Sequence, residues 1–120
     1  MTLKGRHILL VEDDPLVSAH LQAVLGGAGA QVTALATARE LDAFNPAATD
    51  LAVLDISLSD GHIGDHLAPL SAAGVSLLFH TGADDTAELT HAHPAARVLA
   101  KPSREAELLA ICAEMIDARG

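Results

Sequence analysis

Cysteine, aromatic rings and positive charge are all scarce in this chain, and each scarcity removes a class of function. The single cysteine, Cys112, rules out an internal disulfide framework and fits a reducing cytosol. There is no Trp or Tyr, and Phe44 and Phe79 are the only aromatics, so stacking of bases on aromatic platforms is not the binding mode. Only 7 Lys and Arg oppose 16 Asp and Glu, giving a formal net charge of −9. Nucleic acids and anionic membranes are therefore not the partners, because both demand clustered basic side chains. Long apolar runs are missing too. The start, Met1-Thr2-Leu3-Lys4-Gly5-Arg6, leads into a run of a few residues, too short for a signal peptide or a membrane span. The expectation is a cytoplasmic protein with no membrane insertion.

What is there is apolar material in short, regular doses. Half of the 120 residues are hydrophobic, which suits one globular domain over residues 1–120. Short apolar runs alternate with longer amphipathic segments, the pattern of βαβ units and a parallel sheet. Strands are expected at 7–11, 31–36, 50–54, 75–79 and 96–100. The first helix starts at Pro15 with Asp14 as N-cap, shows an apolar face of Val17, Leu21, Val24 and Leu25, and is stopped by Gly26-Gly27 and Gly29. Thr37-Ala38-Arg39-Glu40 has the form of a capping box and opens a second helix that Pro46 closes. Further helices are expected at 64–72, 84–91 and 103–118. The fourth has a poorly apolar face. Strict alternation and right-handed crossovers lead to a flavodoxin-like (βα)5 doubly wound α/β sandwich, a parallel five-stranded sheet in the order 2-1-3-4-5.

In that order the first and third strands lie side by side, and both end in acids. Ile8-Leu9-Leu10-Val11 runs into Glu12-Asp13-Asp14, and Leu51-Ala52-Val53-Leu54 runs into Asp55. Open α/β sheets place their ligands at this carboxyl edge. Carboxylates gathered at one point repel unless a cation sits among them, and a hard divalent ion such as Mg2+, with Mn2+ as an alternative, answers that need. The fourth strand adds Thr81 to the same edge and the fifth adds Lys101. A carboxylate nucleophile, a cation, a hydroxyl and an ammonium are the parts required to take a phosphoryl group onto Asp55.

Together, Val11-Glu12-Asp13, Leu54-Asp55-Ile56, Thr81-Gly82 and Lys101-Pro102 resemble the receiver domain of two-component response regulators, and the resemblance covers nearly the whole chain. It implies that Asp55 is the phosphoacceptor. It implies that Asp13 ligates the metal directly, that Glu12 acts largely through water, and that the backbone carbonyl of Ser57 is a further ligand. Thr81 is then the switch hydroxyl and Lys101 the phosphate-pairing lysine, before an X-Pro bond that is often cis in the family. The phosphodonor would be a histidine kinase or a histidine phosphotransfer protein, and the output an unidentified downstream protein.

Three features depart from the family pattern. Val98 stands three residues before Lys101, where the family usually has Tyr or Phe, so an aromatic rotamer switch is absent. Ser59 stands where Pro usually precedes Asp60-Gly61. The stretch from Thr81 to Lys101 is short, which predicts a reduced fourth helix. Phe79-His80-Thr81-Gly82 without the aromatic is similar to a subgroup of stand-alone receivers with a Phe-x-Thr-Gly fourth strand. Ser57 and Ala83 flank the path of the hydrolytic water in the family, and their small size predicts a short-lived phosphoryl group.

Ordinary roles account for several other polar residues. Asp60-Gly61 reads as a turn, and His62, His66, His91 and His93 as surface histidines. Cys112 lies on the apolar face of the last helix and reads as an inert core thiol. His80 alternates with Thr81 and should face away from the acids. The leading reading is a stand-alone phosphoacceptor switch or phosphorelay intermediate, without turnover chemistry of its own. A phosphorylation-independent binding module and a receiver fragment of a hybrid kinase are the alternatives. A phosphatase with an aspartyl nucleophile would need a second acid two residues after Asp55, where Ser57 stands.

Overall fold

The computed structural model describes residues 3–82 and 86–119, without the side chain of Ser57. Five parallel strands form its main sheet: β1 (His7–Val11), β2 (Gln31–Leu35), β3 (Leu51–Leu54), β4 (Ser76–Thr81) and β5 (Arg97–Ala100). Their spatial order is 2-1-3-4-5, as the alternation of apolar runs implies. The strands are legible because the interior ones are buried on both faces and so need continuous apolar sequence.

Successive residues of each strand feed opposite layers. Leu9, Val11, Leu54, Leu77 and Phe79 pack toward Leu41, Ile63, Leu67, Leu70 and Leu89. Ile8, Leu10, Leu51, Val53 and Leu78 pack toward Leu21, Leu25, Leu108, Cys112 and Ile116. The second layer belongs to α1 (Pro15–Gly27) and α4 (Glu105–Ala118). Each fully buried leucine or isoleucine contributes about 2 kcal/mol of transfer free energy before its ordering cost. Cys112 lies wholly inside this layer, and burial pushes its thiol up to about 12, which leaves it an inert filler.

Local chemistry explains the ends. Asp14 caps α1 by accepting from the amides of Leu16 and Val17 at 2.9 and 3.2 Å. The helix runs through Gly26 and Gly27 instead of stopping at them, and turns out at Gly29, whose φ is +100°. There the amide of Ala30 returns to the carbonyl of Leu25, and a Cβ on Gly29 would come within 2.8 Å of the Lys4 backbone. The helix α4 begins at Glu105, two residues later than expected, where Glu107 accepts from the Arg104 amide.

The other layer differs most from the sequence reading. The second helix is a single 3-10 segment, Arg39–Ala43. The capping box forms as expected, with the Thr37 amide donating to Glu40 and the Glu40 amide to Thr37 Oγ1. A second cap arrives from far along the chain, because Asp60 accepts from the amides of Ala38 and Arg39 at 2.9 and 3.0 Å. Those two N–H groups hold the Asp60 carboxyl below its ordinary value. Asp60 reaches them from a short antiparallel hairpin, Ser57–Leu58 against Gly61–His62, which was not expected. The third helix is split into a 3-10 turn, Ile63–His66, and α2 (Ala68–Ala72). Pro69 has no N–H to offer the carbonyl of residue 65, so one continuous helix from 64 to 72 cannot form. The fourth helix is reduced to α3 (Ala87–Ala92), and residues 84 and 85 of the expected span lie outside the described residues.

Candidate functional site

Backbone pairing brings four chain segments to one edge. Val11 and Leu54 are register partners in neighbouring strands, and the Asp55 amide donates to the Val11 carbonyl at 3.0 Å. Glu12 and Asp55 are thus the first residues beyond β1 and β3. Thr81 ends β4, and the Lys101 amide donates to the Thr81 carbonyl at 3.0 Å just past β5.

The side chains converge on Asp55. Thr81 Oγ1 donates to Asp55 Oδ1 at 3.2 Å, and Lys101 Nζ donates to Asp55 Oδ2 at 3.2 Å. Lys101 approaches Glu12 more closely, at 2.9 Å from Oε1 and 3.0 Å from Oε2. Glu12 is only 3% exposed. Burial disfavours its charged form and pushes its carboxyl up to about 7, against the pull of Lys101 and with help from Asp55. Burial alone would lower the Lys101 ammonium, but the Glu12 and Asp55 carboxylates outweigh it and raise the pKa.

Glu12, Asp13 and Asp55 each offer a carboxylate oxygen within 4.8 Å of the others. Three hard oxygen donors at one point suit Mg2+ or Mn2+ and not a thiophilic metal. Among the described residues no other group of His, Cys, Asp and Glu gathers in this way, so the histidines at 62, 66, 91 and 93 form no such cluster. His66 instead meets Asp42 at 2.8 Å, and His93 meets Ser71 at 3.1 Å.

Ser57 lies two residues beyond Asp55 in the hairpin, paired with His62. Ala83 lies outside the described residues. Val98 sits on β5 beside Phe79 and is 38% exposed. The Lys101-Pro102 peptide is cis.

Two features were not read from the sequence. One is the Lys101–Glu12 pair, whose only sequence signal is an acid at the end of a fully buried strand. The other is Ser103 as partner of His80. His80 does face away from the acids, as its alternation with Thr81 requires. Its Nε2 meets Ser103 Oγ at 2.9 Å. The pair lies in a groove of about 650 Å3 between α1 and the loop after β5, beside Leu16, His20 and Pro102.

Solved structures share this architecture. A response regulator receiver domain protein (CheY-like) from Methanospirillum hungatei JF-1 superposes with a TM-score of 0.83 at 26% identity, over 94% of each chain. The chain folds as a response regulator receiver domain. The non-phosphorylated HemR receiver domain from Leptospira biflexa gives a TM-score of 0.82 at 28% identity, over 92% of this chain and 94% of that one. A receiver domain from Clostridium thermocellum has the same fold, with a TM-score of 0.82 at 19% identity. No protein-family model and no curated protein sequence matches the chain. In this receiver-like fold Asp13, Asp55, Thr81 and Lys101 occupy the carboxyl edge of the sheet, and Val98 faces outward where an aromatic was the family expectation. No helix among the described residues is long and apolar enough to cross a membrane.

Proposed function

We propose that this receiver is a phosphoacceptor switch in which Asp55 takes a phosphoryl group from a phosphohistidine of a histidine kinase or a histidine phosphotransfer protein. The observation that carries this reading is the double hold on Asp55: Thr81 on one oxygen and Lys101 on the other, each at 3.2 Å. Thr81 ends β4 and Lys101 directly follows β5, so both donors stand at the sheet edge beside the nucleophile before a phosphodonor arrives. An Asp55 oxygen attacks phosphorus, an O–P bond forms, the N–P bond breaks, and the imidazole leaves with its electron pair. Thr81 and Lys101 are placed to follow the negative charge onto the phosphoryl oxygens.

Glu12, Asp13 and Asp55, with the Ser57 backbone carbonyl, would hold Mg2+ or Mn2+. The ion supplies positive charge that offsets the charge on the transferred group. Lys101 then exchanges part of its contact with Glu12 for the phosphoryl oxygens. The product is a mixed anhydride, and its free energy is available to shift a two-state surface. With Val98 in place of an aromatic, that shift runs through the Thr81 end of β4 and α3. The chain acts through protein contacts or onward phosphotransfer and does not turn over phosphate esters.

Phosphoryl uptake from acetyl phosphate, followed with excess Mg2+ and with EDTA, tests the reading alongside hydrolysis of p-nitrophenyl phosphate. Mg2+-dependent uptake without ester turnover is expected. Steady ester turnover would make the protein a phosphatase instead.

A further inference from the structure

Next to the acidic pocket, but on the opposite face of β4, His80 is 5% exposed. A buried imidazole is costly unless it is hydrogen-bonded, and a leucine would fill similar space without that cost. Its partner is Ser103, two residues beyond Lys101. His80 directly precedes Thr81, which holds Asp55 Oδ1, and Ser103 follows Lys101, which holds Oδ2. The bond therefore joins the two segments that grip the two oxygens of one carboxylate. Among the described residues the β4–β5 ladder ends at Ala100, and the Lys101 amide donates to the Thr81 carbonyl just past it. The link between His80 and Ser103 adds a side-chain tie between the same two segments.

We propose that His80 is a positioning residue for Lys101: its bond to Ser103 fixes the Lys101-Pro102-Ser103 segment against β4 and holds the lysine ammonium between Asp55 and Glu12. Lysine is a long, flexible side chain, so the placement of its backbone decides how much of its time the ammonium spends at the carboxylates. Burial, and after it the nearby Lys101 charge, lowers the His80 pKa, so the ring is neutral at neutral pH. A neutral ring donates to Ser103 or accepts from it according to its tautomer, and either arrangement keeps the tie.

The inference rests on Asp55 as the acceptor, so its test has a readout that does not depend on phosphoryl chemistry. The variants are His80→Leu, Ser103→Ala, their combination, and His80→Gln, which retains a side-chain amide to meet the serine. Phosphoryl uptake from acetyl phosphate at saturating Mg2+ should slow about tenfold in either single variant, the scale of a sub-ångström misplacement. The combination should be no slower than the singles, because both remove one bond, and His80→Gln should recover most of the rate. The 15Nζ signal of Lys101, held sharp by Glu12 and Asp55, should broaden in His80→Leu and Ser103→Ala. Unchanged uptake with an unchanged Lys101 signal would overturn the proposal, and so would losses that add in the combination. If the wild type takes up no phosphoryl group from acetyl phosphate, the Lys101 signal still decides the role of His80. Should His80→Leu fail to fold, Ser103→Ala, at a partly exposed position, carries the test alone.

Discussion

The Lys101 ammonium lies 2.9 and 3.0 Å from the two carboxylate oxygens of Glu12, across 89 residues of chain. The pair joins the ends of β1 and β5, which are not neighbours in the sheet. A protein cation thus already sits among the acids that a divalent ion would join. This arrangement makes the pocket's energetics open to measurement.

Removal of Lys101 leaves Glu12 buried beside Asp55 with no positive partner. Such orphaned charges destabilise strongly. The lysine side chain is 23% exposed and Glu12 can take up a proton, so Lys101→Ala should cost about 2 kcal/mol, below the usual range. Urea unfolding at pH 7.5 without divalent ions measures it. The deficit should shrink at pH 5, where Glu12 is protonated. An equal deficit at both pH values would mean that the loss comes from the lysine stem and not its charge.

Glu12 is pushed up to about 7 from an ordinary 4.5, mainly by burial. A raised pKa means that the fold binds the proton more tightly than the unfolded chain does. The associated stability is fully present below about pH 4.5 and is lost as pH rises through 7. Without divalent ions, the unfolding free energy should fall by on the order of 2 kcal/mol across that window. Glu12→Gln should flatten the profile. Wild type and variant with parallel profiles would assign the pH dependence elsewhere.

Asp13 adds a third carboxylate to the cluster. Asp13→Ala should abolish tight Mg2+ binding by calorimetry. It should also raise the melting temperature of metal-free protein by about 2–4 °C, because carboxylate repulsion is relieved. A lower melting temperature would show that the repulsion is already offset by Lys101.

The sheet and the acids were legible for the same reason: interior parallel strands must be continuously apolar, so Glu12 and Asp55 stand out where Ile8–Val11 and Leu51–Leu54 end. Asp14 and Pro15 marked the start of α1 through local chemistry alone. The region from 39 to 72 was not legible to the same degree. Its 3-10 turn is capped by Asp60 from 21 and 22 residues away, and its third helix is broken at a proline that the periodicity of the flanking apolar residues conceals. The Lys101–Glu12 and His80–Ser103 ties are tertiary. Each is a polar side chain whose partner lies on another segment, where no local pattern points.

The identity of the acceptor is the central claim, and intact mass after incubation with Mg2+ and acetyl phosphate tests it most directly, with Asp55→Asn beside the wild type. A gain of ~80 Da in the wild type alone is the predicted result. The same gain in Asp55→Asn would contradict it.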